Sequence, residues 1–261
     1  MKKIDDRDIT RSADTLRGSD RVQKFVGDLE ESIAVGGYGN KAGRNIHDVA
    51  EEAFERVKKD PEAVRVKLDK ATATAKEGKL PEGYDNLQDY YADVGAMLDH
   101  YSSRLDDLEA RGLDNSEEYL KIRESATNFL DGLMSVRSQE GYGAVQYNLI
   151  AHSNGEVRVA LIEREIKKIE DEFEKELEKA AKKNSTVLEK ADKVKIKLSD
   201  AQKKAIKNVD PDDPLQMSRV MHDVSKEVWD QIPASKHEVA DAIRKSSMLL
   251  NPKTHLRNIK L

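Results

Sequence analysis

The middle of the sequence carries an apolar seam whose members are spaced alternately four and three residues apart. The seven members are Leu87, Tyr91, Val94, Leu98, Tyr101, Leu105 and Leu108. Since this spacing keeps all the side chains on one face of an α-helix, it predicts a single helix of about 25 residues. Arg111 and Gly112 follow the seam, and a glycine at this place is typical of a helix C-terminus.

A second stripe with the same kind of spacing begins a few residues later. Its members are Tyr119, Ile122, Ala126, Phe129, Leu133 and Val136. Before it, Asp114 has the spacing of a capping box with Glu117. Two such helices joined by a short polar link predict an antiparallel helical hairpin over residues 84–140. We expect the two seams to form the core of one chain; the alternative is a homodimer formed through the helix seams.

Helix start and stop signals also lie on both sides of this hairpin. Before it, Asp60 and Pro61 predict the N-cap and the first position of a helix that ends at Gly78. After it, Ser199 and Gln202 have the spacing of another capping box. Further helices are expected to begin near Ser19 or Asp20, Ile46, Gly155, Pro214 and Ser235.

Composition favours helices over other classes of fold. Charged residues make up 36% of the chain, apolar residues 38% and aromatic residues 5%. A β-sandwich needs many β-branched and aromatic strand residues, so this composition argues against one. The chain has no cysteine, which excludes disulfides, a thiol nucleophile and cysteine metal sites.

We therefore expect an all-α protein, a multi-helix bundle of about eight to ten helices built on a central long antiparallel helical hairpin. Residues 194–198 alternate apolar and lysine side chains and are expected to be a short extended piece. The chain divides into an N-terminal helical region, 1–140, and a C-terminal helical region, 141–261. One continuous domain is the alternative.

Charge is segregated along the chain. The formal net charge is -5, but residues 84–140 carry 13 acidic and 5 basic side chains, a net of -8. Residues 179–207 carry 10 basic and 3 acidic side chains, a net of +7, and only basic charges follow Asp241. An acidic region attracts basic protein surfaces, whereas a basic region attracts nucleic acid. Solvated helix faces are the simpler explanation of both regions.

Two sets of candidate binding residues follow from this segregation. The partner-binding set on the first hairpin helix consists of Asp89, Asp93, Asp99, Asp106 and Asp107. The alternative, nucleic-acid-binding set consists of Lys182, Lys183, Lys193, Lys195, Lys253 and Arg257.

The sequence offers little support for an enzyme. The six histidines are scattered, and no zinc-protease, phosphate-loop or serine-nucleophile motif occurs. We therefore expect no catalytic residues, no metal site and no cofactor.

No apolar stretch is long enough to span a membrane, and the N-terminus lacks the apolar core of a signal peptide. These patterns favour a cytoplasmic protein that does not act on membranes.

One specific motif lies at the C-terminal end. Residues 248–259 read MLLNPKTHLRNI and resemble a motif, MLxNPxTHxRN, of the large polyvalent proteins of phages and prophages. Residues 143–147 and the helix that follows Gly155 resemble the segment preceding the motif in those proteins. The six residues that define the motif here are Asn251, Pro252, Thr254, His255, Arg257 and Asn258. We interpret them as structural residues that form a turn and hold a neighbouring loop. Contact with a ligand or a partner is the alternative.

The resemblance implies a phage or mobile-element origin and a helical module without a catalytic residue. It favours a non-enzymatic protein-interaction module acting in the cytoplasm of a host bacterial cell. Its expected partner is a host protein complex, and one form of this function is antagonism of a host-defence complex of CRISPR or another type. The alternative is a nucleic-acid-binding phage protein that accompanies injected DNA and uses residues 179–207 and the C-terminal tail.

Overall fold

The computed structural model of the protein describes residues 46–75, 79–136, 149–183, 194–210 and 213–232. The helices bounded within these residues are α1 (Ile46–Lys59), α2 (Pro61–Thr74), α3 (Leu87–Ala110), α4 (Glu117–Ser135), α5 (Gly155–Lys183), α6 (Asp200–Lys207) and α7 (Pro214–Asp230), and residues 149–152 are also helical. Within these ranges all regular secondary structure is helical, which confirms the all-α class. The helices expected from Ser19 or Asp20 and from Ser235 lie outside the described residues.

The chain groups into two compact units, Met1–Asn154 and Gly155–Leu261. Helices α1 to α4 belong to the first unit, and α5 to α7 belong to the second. Asn154 is the last residue of the first unit and remains tied to it. Its backbone N–H donates to Ser102 Oγ at 3.1 Å and its side-chain amide donates to Asp106 at 2.9 Å.

Helix α3 is the element against which the first unit packs, since it contacts α1, α2 and α4. All seam members except Leu87 are buried, as predicted. However, every residue from Tyr90 to Leu98 is buried, so the first half of α3 is enclosed on all sides. This enclosure follows because α1, α2 and α4 all pack against α3.

The end of α3 and the start of α4 are set by local hydrogen bonds. Gly112 has a φ of +69°, and the Leu113 N–H donates to the Leu108 carbonyl at 2.8 Å, as in a Schellman motif. The predicted helix end at Gly112 is confirmed. The predicted cap at Asp114 is wrong: a turn closed by a hydrogen bond from Ser116 to Leu113 contains Asp114, and Ser116 caps α4 instead.

Helix α2 shows one correct boundary and one incorrect one. Asp60 is its N-cap, since Asp60 Oδ1 accepts a hydrogen bond from the Ala63 N–H at 3.0 Å. The helix ends at Thr74, four residues before the predicted end at Gly78. Thr74 Oγ1 accepts a hydrogen bond from the Glu82 N–H at 3.0 Å, so the following loop returns to the helix end.

Gly132 lies where α4 contacts α2, and it gives the first testable prediction. A Cβ atom at Gly132 would lie 2.7 Å from Thr72 Cγ2 and 3.1 Å from Thr72 Oγ1. In an open helix a glycine-to-alanine change stabilises by about 1 kcal/mol. Here we expect Gly132→Ala to lower the free energy of unfolding by about 1–2 kcal/mol, because the two helices must move apart. Urea denaturation measures this change.

Thr72→Ser provides the matched partner variant, because it removes only the methyl group that Cβ would meet. Combined with Gly132→Ala, it should recover part of the lost stability. A Gly132→Ala protein more stable than the wild type would show that α2 and α4 do not approach this closely.

The second unit is built on the apolar edge of α5. This edge consists of Val157, Leu161, Ile162, Ile166, Ile169 and Phe173, all buried. The capping box of Ser199 and Gln202 at the start of α6 is confirmed. Residues 194–198 belong to no helix, and their three apolar side chains are buried while the two lysines are exposed, the alternation expected of a short extended piece. At the start of α7 the Asp213 carboxylate accepts a hydrogen bond from the Gln216 N–H at 3.0 Å.

Arg158 fastens the end of α6 to α5. Its side chain is buried, at 5% exposure. It donates to the Ile206 carbonyl at 3.0 Å, the Lys207 carbonyl at 2.6 Å and the Val209 carbonyl at 3.3 Å. The last carbonyls of a helix lack intrahelical donors, so one guanidinium both satisfies these groups and complements the negative end of the helix dipole.

Candidate functional site

The five predicted partner-binding aspartates fall into three different environments on α3. Asp106 and Asp107 are exposed, Asp89 and Asp99 are half-buried, and Asp93 is buried at 1% exposure. Asp89 accepts a hydrogen bond from the Asn86 side chain at 2.8 Å. Of the five aspartates, only Asp106 and Asp107 therefore lie fully on the surface.

Asp93 is not a surface contact, and its inclusion in the partner-binding set is wrong. Oδ1 of Asp93 accepts hydrogen bonds from Arg56 Nε at 3.1 Å and Arg56 Nη2 at 2.5 Å. Oδ2 accepts from Lys67 Nζ at 3.3 Å and Tyr84 Oη at 2.9 Å. Both carboxylate oxygens thus accept hydrogen bonds. A buried carboxylate is stable only when it is paired and hydrogen-bonded in this way.

Tyr84 is held in its neutral form at this cluster. Burial and the nearby negative charge of Asp93 raise the pKa of Tyr84 far above its usual value. Tyr84 therefore acts as a hydrogen-bond donor, while Lys67 Nζ lies 3.7 Å from the centre of its ring. The cluster joins α1, α2, α3 and the loop before α3.

A group of exposed acidic residues lies where α3 ends and α4 begins. We call residues 104–121 the acidic end. Its acidic members are Asp106, Asp107, Glu109, Asp114, Glu117 and Glu118, and its basic members are Arg104, Arg111 and Lys121, a net charge of -3. Arg104 is half-buried and the other eight side chains are exposed, so the negative charge of the acidic end faces solvent.

Ion pairs within the acidic end hold its side chains in place. Arg104 lies 2.7 Å from Glu118 and 3.2 Å from Asp107, and Arg111 also lies 3.2 Å from Asp107. Glu109 accepts a hydrogen bond from Tyr119 Oη at 2.7 Å. Exposed ion pairs contribute little to the stability of the fold, so these contacts mainly orient the charged side chains. The net charge of the acidic end stays negative.

Two leucines are exposed within the acidic end. Leu113 is 38% exposed and Leu120 is 44% exposed. The sequence stripes did not point to them, because neither belongs to the apolar seam of its helix. The signal in the sequence is a leucine that lies outside the apolar seam, in a segment that is rich in acidic residues.

The predicted nucleic-acid-binding set lies only partly within the described residues. Lys195 is exposed, and Lys182 and Lys183 end α5, whereas Lys193, Lys253 and Arg257 lie outside the described residues. Elsewhere in the basic region, Lys203 pairs with Glu163 at 2.7 Å and Lys207 pairs with Glu156. The six motif residues Asn251, Pro252, Thr254, His255, Arg257 and Asn258 also lie outside the described residues.

A small cleft of about 260 Å³ lies in the second unit between α5 and residues 196–198. Ligand sites usually occupy about 300–1,000 Å³. Glu170, which lines the cleft, accepts a hydrogen bond from the Ile196 N–H at 2.7 Å, and Lys203 pairs with Glu163. These polar groups of the lining are therefore engaged with the protein itself.

In the part of the chain that the structure describes, no three side chains of histidine, aspartate or glutamate come together as metal ligands. No helix in the same ranges has both the length and the apolar character needed to cross a membrane.

No protein-family model matches the chain, and comparisons with curated proteins and with solved structures give no significant match.

Proposed function

We propose that the protein is a non-enzymatic protein-interaction module that binds a basic surface of a partner through the acidic end. The observation that carries this proposal is the excess of exposed carboxylates over cations in residues 104–121, a net charge of -3 on one short segment. Such a segment attracts a positively charged partner and speeds the encounter between them. In this proposal α3 and α4 form an antiparallel hairpin whose turn presents the acidic end.

The proposal also assigns an origin and a setting. The motif in residues 248–259 resembles that of phage and prophage large polyvalent proteins, which supports a phage-encoded protein acting in the cytoplasm of a host bacterial cell. The partner is then a host protein complex. A phage gains most from blocking a host-defence complex, so the proposed partner is of this kind. The resemblance supports the setting, and the acidic end supports the mode of binding.

Neutralising the acidic end should weaken capture of the partner. A variant with Asp114→Asn, Glu117→Gln and Glu118→Gln brings the net charge of the acidic end to zero. In affinity purification from host cells we expect it to retain a basic host protein at least about tenfold less than the wild type, since close charge pairs contribute more than about 1.4 kcal/mol. Quantitative mass spectrometry of the captured proteins measures this ratio.

The matched control changes the same amount of charge elsewhere on the first unit. Glu51, Glu52 and Glu55 are exposed on α1, and replacing all three with glutamine should leave capture within about twofold of the wild type. If the acidic-end variant captures the same host protein as strongly as the control, the acidic end does not carry the binding.

Binding of nucleic acid through residues 179–207 and the tail is the competing function. The exposed Lys195 and Lys197 favour it, whereas the pairing of Lys203 and Lys207 with acids of α5 reduces the free positive charge. A mobility-shift titration in increasing salt separates the two functions. Affinity for DNA or RNA that falls steeply with salt would favour the competing function over the proposed one.

A further inference from the structure

We propose that Leu113 and Leu120 are the apolar anchors of the acidic end and that they receive a basic amphipathic helix of the partner protein. This inference rests on the proposed function and adds the chemistry of the occupant. Both leucines leave more than a third of their surface in solvent, at 38% and 44% exposure. They lie among the exposed carboxylates of the acidic end.

Local capping does not account for the exposure of Leu120. It is the fourth residue of α4, the position that a hydrophobic residue before the N-cap would cover as a hydrophobic staple. The residue before the cap is Asn115, which is polar, so this staple cannot form. Leu120 is therefore a large apolar side chain on the surface without a capping role.

Leu113 has a local role that its side chain fulfils only in part. In a Schellman motif the residue after the glycine packs on the residue whose carbonyl it binds, here Leu108. Leu108 is buried at 1% exposure, yet Leu113 remains 38% exposed. The remaining apolar surface of Leu113 is available to a partner.

The charges around the leucines determine what can cover them. Asp107 and Glu109 precede Leu113, and Glu117 and Glu118 lie between Leu113 and Leu120. A second copy of this chain would bring two acidic ends together, and a nucleic acid or an anionic membrane surface would be repelled. The complementary occupant is a protein segment that carries Lys or Arg beside apolar side chains.

An amphipathic helix has this arrangement of side chains. Its apolar stripe is narrow and is bordered on both edges by polar positions, where Lys and Arg can meet carboxylates. Anchoring side chains that are enclosed by charged contacts are typical of the centre of a protein interface. The two leucines would thus provide affinity, and the surrounding carboxylates would select the charge of the partner.

The test uses a fluorescein-labelled helical peptide made of Leu and Lys, with leucines on one face. Two control peptides have the same length: one replaces Lys with Glu, and the other replaces Leu with Ser. Fluorescence anisotropy with the full chain at about 150 mM salt should show binding of the Leu/Lys peptide at least about tenfold tighter than of either control peptide.

Protein variants show where the peptide binds. Leu113→Ser with Leu120→Ser should weaken binding of the Leu/Lys peptide at least about tenfold, because the apolar contact is lost. Leu80, 49% exposed and outside the acidic end, is the matched control, and Leu80→Ser should change binding less than about twofold. Circular dichroism confirms that each variant is folded, and the single variant Leu120→Ser provides a milder form.

Four outcomes would overturn the inference. The double leucine variant could bind the Leu/Lys peptide as tightly as the wild type, or the Leu/Glu peptide could bind equally well. In sedimentation, the wild type could form a dimer that the double variant loses, which would make a second copy the occupant. If the leucine variant keeps its host partner while the acid-neutralised variant loses it, this inference fails and the proposed function stands.

Discussion

Replacing Asp93 with alanine is expected to lower the free energy of unfolding of the first unit by about 3 kcal/mol. The variant removes the carboxylate that Arg56, Lys67 and Tyr84 share. The buried Tyr84 hydroxyl would lose its acceptor, and two cations would remain near the interior without a counter-charge. Arg56 and Lys67 are partly exposed and can turn toward water, which keeps the loss below the upper limit for a buried pair.

Calorimetry and urea denaturation measure this effect, and two further variants define its origin. Asp93→Asn keeps an acceptor for Tyr84 without the charge, so it should lose less stability than Asp93→Ala. Asp85→Ala, at an exposed position of the same unit, should change stability by less than about 0.5 kcal/mol. Equal effects of Asp93→Ala and Asp85→Ala would contradict a structural role for the Asp93 cluster.

Replacing Arg158 with alanine is expected to destabilise the second unit by about 2–4 kcal/mol. The change leaves the carbonyls of Ile206, Lys207 and Val209 without their shared donor. It also removes a cation from the end of α6, where the helix dipole is negative. Because α6 has only eight residues, it depends strongly on such tertiary contacts.

Hydrogen exchange followed by mass spectrometry shows where this loss occurs. Amides of α6 should exchange faster in Arg158→Ala, while those of α3 in the first unit keep their protection. Arg158→Lys retains the charge but lacks the planar fork that reaches three carbonyls, so it should recover only part of the stability. Full recovery by lysine would show that charge alone, and not the fork, holds the end of α6.

Much of the fold follows from local signals in the sequence. The seam over residues 87–108, the proline start at Pro61 and the capping box at Ser199 each depend on neighbours within a few residues. Such signals act within one turn of helix, so they can be read without knowing the tertiary structure. The cap predicted at Asp114 is wrong because Asp114 lies inside the turn from Leu113 to Ser116, so α4 begins two residues later with Ser116 as its cap.

The burial of Asp93 depends on distant residues and was therefore not predicted. Its partners Arg56 and Lys67 are 37 and 26 positions away, and no spacing rule connects them. A signal was present nonetheless. Residues 90–98 contain one charged side chain among otherwise small or apolar ones, and a helix that is apolar all round is usually buried.

The acidic character of the candidate site could be predicted, but its detail could not. Charge counts along the sequence located the negative region around residues 84–140. They could not show that Arg104 and Arg111 pair with Asp107 or that Leu113 and Leu120 stay exposed. Pairing and exposure depend on how α3 and α4 end, which is a matter of three-dimensional packing.

The extended segment at residues 194–198 has a consequence for aggregation. Alternating apolar and polar residues with free backbone groups can add to a strand of another chain. Here the Gln231 side chain accepts from the Lys197 N–H at 3.0 Å and donates to the Lys197 carbonyl at 3.1 Å, and Glu170 accepts from the Ile196 N–H. These side chains occupy backbone groups that an incoming strand would need, so the segment is protected from strand addition.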